Sequence, residues 1–459
     1  MVLRDEKRAT SFAAIQQAVV ADFIAEHPGS AKHHEQAVTR FASGVTHDGR
    51  YAEPFQICVD HADGAYKWDV DGNRYVDFVT GHGSLILGHG HPDILEAVSS
   101  QLLRGTHLGA NHALELEWAN RICAIVPGAE LVRFVASGTE AGMLAIRIAR
   151  AWTGRTRIVQ FADHFHGWSD TTFGAHGMPG IPAVLQSTAS VIPSGDLNAL
   201  NAAVADETAA AVIIETSHPG FFTLPDPGAF LRSVREATER TGTLLIVDEV
   251  VSGFRWAPGG AQEQYGAHGD ITMLAKILAG GLPGGAVTGR ADVMSVLSFN
   301  PEERQGRPKL THPGTYNANP LSAAAGIACL EHVANPEVQA RATASAAAIR
   351  SGLNAALRRE GIPGCAYGDA SMFRVVLGGE ELPPETDLRA PLPGVPMSRE
   401  GMPGDLAKLF YLSMLQQGIA LFGGRGITSI AHSADDVTAT VVAFAESLSR
   451  LHVREWIEA

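Results

Sequence analysis

The stretch Thr243–Arg255, TLLIVDEVVSGFR, sets an unbroken apolar run directly against two carboxylates, Asp248 and Glu249. A run that is apolar at every position, not at alternate ones, reads as a strand buried on both faces, as in a parallel sheet sandwiched between helices. An acid at the end of such a strand is costly unless something positive meets it. In an open α/β sheet, ligands bind beyond the carboxyl ends of the strands. Asp248 therefore stands where a positive group of a ligand would be held. The plainer reading is a structural ion pair, for which Arg255 is at hand.

Working outward, the same kind of run recurs as LVRFVA (131–136), RIVQFA (157–162) and AAVIIE (210–215). Between these lie segments of helical period, such as AGMLAIRIARAW and PGAFLRSVREATERTG. The alternation predicts an α/β lobe with a mostly parallel central sheet over residues 85–325. Upstream, ICVDHADGAYKWDVDGNRYVDFV (57–79) breaks into three short strands at Asp63-Gly64 and Asp71-Gly72-Asn73, which predicts an antiparallel meander. DVDGN resembles part of a calcium loop but lacks the full ligand pattern, so a turn is expected. The N-terminal segment 1–84 is expected to join residues 326–459 in a smaller α+β domain. Within the latter, the proline- and glycine-rich stretch 378–405 reads as a long surface loop.

With 459 residues, 45% hydrophobic and 18% charged, the chain is globular and too long for one small core. A formal charge of −14 argues against nucleic acid or an anionic membrane as the main partner. No apolar run reaches the roughly 18 residues that span a bilayer. The charged N-terminus MVLRDEKRATSF lacks the apolar core of a signal peptide. Cys58, Cys123, Cys329 and Cys365 are scattered, without metal or disulfide spacing. A cytoplasmic protein with reduced thiols is the expectation.

The residues following each apolar run carry the chemistry. After LVRFVA, Ser137-Gly138-Thr139-Glu140 has capping-box spacing, so a helix start able to hold a phosphate is expected. After RIVQFA comes DHFHGWSD, where Phe165 offers a ring to stack on a flat cofactor. His164 and His166 suggest a metal pair, but a third ligand is not evident, so no metal is expected. AAVIIE ends in Glu215. In ITMLAKILAGGLPGGAVTGR (Ile271–Arg290), Lys276 is the only charge before Arg290, set in apolar surroundings. Thr315 in HPGTYNANP is a further phosphate donor or part of a plain turn. A phosphate cradle, a stacking aromatic, a carboxylate for a pyridinium and a lone lysine together describe a site for pyridoxal 5'-phosphate (PLP).

The chain resembles the class III (ω-type) PLP-dependent aminotransferases of PLP fold type I, over about residues 35–450. The resemblance is carried by DGAYKWDVDGNRYVDF, LGHGHP, SGTEA, HFHGW, VDEVVSGFR, LAKILAGGLPGGAVTGR and HPGTYNANPLSAAAG. It is nearest to the branch of glutamate-1-semialdehyde 2,1-aminomutase and the β-amino-acid aminotransferases. It implies that Lys276 is the Schiff-base lysine, that Asp248 pairs with the pyridine nitrogen and that Val250 packs behind the ring. It implies that Ser137, Gly138 and Thr139 hold the phosphate, that Phe165 stacks where most relatives have tyrosine, and that His166 and Glu215 lie by the cofactor. Thr315 is implied to reach the phosphate of the neighbouring subunit in a homodimer. The Thr216-Ser217-His218 run after Glu215 departs from the family's proline-containing continuation.

The implied chemistry is a ping-pong transfer of an amino group from an amine or amino acid, a β- or ω-amino acid among the candidates, to a keto acid or aldehyde. The alternatives are an intramolecular aminomutase and a non-catalytic PLP-binding subunit. Where aminomutases carry an acidic run, LFGGRGITSIAHS has Arg425, as in β-amino-acid aminotransferases, so a substrate carboxylate is the implied ligand. Arg50 and His82 are further candidates for contact with substrate.

Overall fold

The computed structural model describes residues 2–174, 178–393, 395 and 401–457; positions 394 and 396–400 of the expected 378–405 loop thus lie outside the described residues. The chain forms two compact units. One comprises Met1–Thr80, Leu87–Gly90 and Arg341–Ala459, and the other Gly81–Ile86 and His91–Ala340.

In the second unit the apolar runs are strands of one seven-stranded sheet, ordered β4-β10-β9-β8-β7-β5-β6. They are β4 (Leu131–Val135), β5 (Arg157–Phe161), β6 (Ala189–Ile192), β7 (Ala209–Glu215), β8 (Leu244–Asp248), β9 (Ile271–Ala275) and β10 (Gly285–Gly289). Pairs among β5 to β9 are parallel, and only β10 runs against its neighbours. Every residue of β8 and β9 is buried, as two-sided cover requires. Leu144 and Ile148 of the Gly138–Thr153 helix share a core with Ile213, Ile246 and Met273 of the sheet.

The unit extends beyond residue 325 because the alanine-rich Pro320–Val333 helix packs closely on the turn after β9. A Cβ at Gly280 would stand 2.8 Å from the Ala325 carbonyl, and Gly280 takes a left-handed φ of +59°. The division from the smaller unit therefore falls at 340/341, later than the alanine-rich composition suggested.

The first unit holds the meander β1 (Val59–Asp63), β2 (Tyr66–Asp69) and β3 (Arg74–Asp77), extended by a parallel pairing of β3 with β13 (Ile419–Ala420). A second sheet is formed by β11 (Gly364–Tyr367), β12 (Met372–Leu377) and β14 (Arg425–Ile427). The DVDGN stretch is a turn: Asp69 accepts from the N–H groups of Asp71 and Asn73, and Asp71 from Gly29 and Ser30. These carboxylates are engaged by backbone donors, as in an Asx turn.

Asp77 ends β3 with its carboxylate buried. It meets Lys67 Nζ at 3.0 Å and His89 Nε2 at 2.8 Å, and accepts from the N–H groups of Val79 and Thr80. Burial alone would raise its pKa, but His89 and Lys67 outweigh it and hold the carboxyl well below the ordinary range. A depressed folded-state pKa contributes stability above the unfolded value near 3.9, lost as pH falls toward the folded one. Asp77→Asn is expected to destabilise this unit by about 3–5 kcal/mol at neutral pH, because Lys67 loses its buried ion-pair partner and His89 its hydrogen-bond partner. Thermal unfolding followed from pH 7 to pH 3 checks this; the variant should also lose part of the acid-side decline.

Candidate active site

The site is built at the carboxyl ends of β4, β5, β7, β8 and β9. Register brings Glu215 of β7 beside Asp248 of β8, and Asp248 beside Met273 of β9. Lys276 opens the short helical turn Lys276–Ala279 immediately after β9 and is half-buried. Its φ of +52° is left-handed, a conformation that costs a residue bearing a Cβ about 1–2 kcal/mol. Strain of this kind is concentrated at functional positions.

After β4 the chain turns into the Gly138–Thr153 helix. Ser137 is its N-cap, its hydroxyl accepting from the Glu140 N–H at 3.2 Å. The reciprocal bond differs from the expected capping box: Glu140 accepts from Ala136 N–H at 2.9 Å, one residue before the cap. The first-turn N–H groups of Gly138 and Thr139 lie at the positive end of the helix dipole. A Cβ at Gly138 would be tight, 3.0 Å from Val250 Cγ1 and 3.6 Å from Ala275 Cβ. At Gly167, with φ +85°, a Cβ would fall 2.7 Å from Thr139. Cradle, HFHGW loop, Val250 and the end of β9 thus meet at one edge of the sheet.

Asp248 is buried, its Oδ1 accepting from Val250 N–H at 3.0 Å and its Oδ2 lying 2.8 Å from His166 Nδ1. The neighbour of Asp248 is therefore His166, where the sequence had offered Arg255. Arg255 is fully buried elsewhere, donating to the Val251 and Gly83 carbonyls, and burial pushes its pKa down to about 10. Nε2 of His166 is buried with no hydrogen-bond partner among the described residues. His164 packs beside it; burial, then His166 and His218, hold its pKa well below the ordinary value. The neutral ring accepts the Glu215 N–H on Nδ1. Glu215 in turn accepts from Phe165 N–H at 2.9 Å and from Ser217 hydroxyl at 2.7 Å, fixing the loop that presents Phe165. Phe165 is 56% exposed, and its aromatic ring is of the kind that stacks on a planar ligand.

Glu249, one residue past Asp248, takes no part in this edge. It accepts from the N–H groups of Ala261 and Gln262 and from the Ser252 hydroxyl. Burial, only partly offset by these donors, pushes it up to about 7. The Thr216-Ser217-His218 departure is accommodated locally. Thr216 bonds Ser252 at 2.8 Å, and His218 caps the short Pro219–Phe222 helix.

His82 lies in the segment Gly81–Ile86, tied to this unit through the Gly83 carbonyl and through Leu85, which closes on Gly281 behind Lys276. Thr315 stands on a separate exposed loop, its carbonyl 2.6 Å from His107 Nε2. Arg50 and Arg425 belong to the other unit. Arg50 donates to Thr46 Oγ1 and borders a cavity of about 190 Å³ with His34, Phe41, Tyr51 and Cys58. Arg425 lies over the Phe422 ring at 4.6 Å and is the cross-strand register partner of Arg374.

The edge suits a flat, anionic, cationic-ringed cofactor: N–H groups at a helix start for a phosphate, a buried carboxylate for a ring N–H, and an amine one turn beyond. Residues 48–364 match the family Aminotransferase class-III. The chain belongs to the class III aminotransferases. It is 36% identical to a glutamate-1-semialdehyde 2,1-aminomutase of Methanopyrus kandleri, over 93% of this chain and 98% of that protein. Among solved structures it is similar to an omega-transaminase from Sphaerobacter thermophilus (TM-score 0.82, 32% identity, covering 94% of this chain and 99% of that one). It is also similar to a β-phenylalanine aminotransferase from Variovorax paradoxus (TM-score 0.82, 27% identity, 96% and 98% covered). The fold is PLP fold type I, and the protein is a PLP-dependent enzyme of small amines, amino acids and keto acids. Among the described residues no helix is long and apolar enough to cross a membrane.

Proposed function

We propose that this class III enzyme is an intermolecular aminotransferase for a carboxylate-bearing amine, with Lys276 as the amine that carries the cofactor and moves the proton. The observation that supports the reading is that Ser137–Thr139, Asp248 and Lys276 stand at the carboxyl ends of β4, β8 and β9 of one sheet. When bound, PLP supplies a protonated ring that withdraws electrons from the substrate carbon. Asp248 keeps the proton on the ring nitrogen, and His166 positions that carboxylate through its Nδ1. Gly138 and Thr139 donate backbone N–H groups to the phosphate, with the Ser137 hydroxyl beside them. With the cofactor bound, Phe165 and Val250 would pack against its ring. Lys276 would act as general base on the proton at the substrate carbon and, once protonated, as the general acid that returns that proton in the reverse direction.

The acceptor half is proposed to be open to external keto acids. Arg425 is proposed, on the likeness of its segment to the β-amino-acid aminotransferases, to receive the substrate carboxylate. Arg425→Ala is expected to raise KM for carboxylate-bearing donors about 10- to 100-fold, the loss of one charged hydrogen-bonded pair. KM for simple amines should stay within about twofold; equal effects on both would remove Arg425 from the substrate site. The second reading, an aminomutase, is favoured by the Methanopyrus kandleri relative. The two separate on a donor and acceptor panel: rapid exchange with pyruvate or 2-oxoglutarate supports the aminotransferase, and retention of the amino group within one substrate supports the aminomutase. We further assign a homodimer in which the exposed Thr315 serves the neighbouring subunit's phosphate, and a cytoplasmic setting suited to four free cysteines.

A further inference from the structure

In the larger unit the Pro92–Leu102 helix starts beside the end of the Pro320–Val333 helix. His91 is the N-cap of the first, Asp93 lies in its first turn, and His332 lies in the last turn of the second. One ligand atom from each of the three lies within 4.8 Å of those of the other two. His332 Nε2 and Asp93 Oδ2 are 2.6 Å apart. The rings of His91 and His332 meet edge to face, centroids 4.6 Å apart.

An Asp93–His332 ion pair alone accounts for two of these residues and leaves the third unexplained. Nδ1 of His91 is buried and has no hydrogen-bond partner among the described residues, whereas buried polar atoms in folded proteins nearly always have one. Two imidazoles and a carboxylate are a donor set for zinc and its borderline neighbours, not for magnesium or calcium. Bonds of about 2.0–2.2 Å set such ligand atoms roughly 3.3–3.6 Å apart, a distance these side chains reach by small rotations.

We propose that His91, Asp93 and His332 bind a divalent transition metal of the zinc class, with water completing its coordination. The metal fastens the start of one helix to the end of another, joining positions 239 residues apart in sequence. Any metal that binds the folded chain and not the unfolded one raises its stability by mass action.

The test uses the PLP-loaded enzyme, stripped with a chelator and dialysed. Zn²⁺ is titrated by calorimetry and thermal unfolding is followed with and without it. Wild type is expected to bind one equivalent per chain and to unfold at higher temperature with Zn²⁺. Asp93→Asn and His332→Gln, both at partly exposed positions, should weaken that equivalent at least about 100-fold while keeping bound cofactor. Absence of a stoichiometric equivalent in wild type, or an equivalent undiminished in both variants, overturns the site. If a variant fails to fold, Co²⁺ in wild type decides. Visible bands of four- or five-coordinate nitrogen and oxygen ligation support the site, and a six-coordinate, aquo-like spectrum overturns it.

Discussion

Lys276→Ala is expected to lose turnover by about four orders of magnitude or more, together with the visible absorbance of the lysine-bound cofactor. The size follows from the two roles assigned to one amine. Positioned acid–base transfer alone contributes about 10²–10⁴-fold, and loss of the covalent attachment point adds to it. Folding should be little affected. Alanine keeps a Cβ at the left-handed φ of +52°, so the backbone strain is the same before and after the change. Thermal unfolding of the variant close to wild type, with cofactor retained only as a reversible ligand, is the accompanying result. Survival of the native visible absorbance would show that another amine carries the cofactor.

Asp248→Asn is the second large effect, a fall in kcat of about 10²–10³-fold, the size seen when a preorganised charge aimed at the reacting system is removed. An amide does not hold a proton on the ring nitrogen as a carboxylate does. His166 at 2.8 Å from Oδ2 acts through Asp248 and not on the substrate. His166→Gln should therefore cost about tenfold in kcat, leave KM nearly unchanged and shift the pH dependence of the cofactor's absorbance. A purely structural histidine would leave that titration in place once the protein had folded. Wild-type kcat in Asp248→Asn would remove the carboxylate from the chemistry.

Much of this edge was legible because its signals are local. Strands buried on both faces write themselves as continuous apolar runs, and β5, β7 and β8 overlap the segments read that way, whereas β9 was singled out only for its lysine. The helix after β4 is announced by Ser137, whose hydroxyl is its cap. What escaped is what depends on long-range packing. The sequence offers Arg255 to Asp248, and only the strand order brings His166, 82 residues upstream, to the carboxylate. Glu249 looks equivalent to Asp248 in the string, yet one step along the strand turns it toward the Gly260–Tyr265 helix and out of the site edge. The boundary near residue 325 was misjudged for a related reason. An alanine-rich helix signals close packing without naming the surface, and here the surface is the turn that carries Lys276. The grouping of His332 with His91 and Asp93 had no local trace at all.

The central claim, that this site exchanges amino groups with external partners, is tested most directly by single-turnover spectroscopy of the PLP-loaded enzyme. A panel of α-, β- and ω-amino acids and simple amines is mixed with it, and excess donor is removed. Pyruvate or 2-oxoglutarate is then added. The account predicts that at least one carboxylate-bearing donor bleaches the visible absorbance with stoichiometric release of its carbonyl product, and that a keto acid restores it. A cofactor that no donor converts, or a converted form that no external acceptor returns, would contradict it.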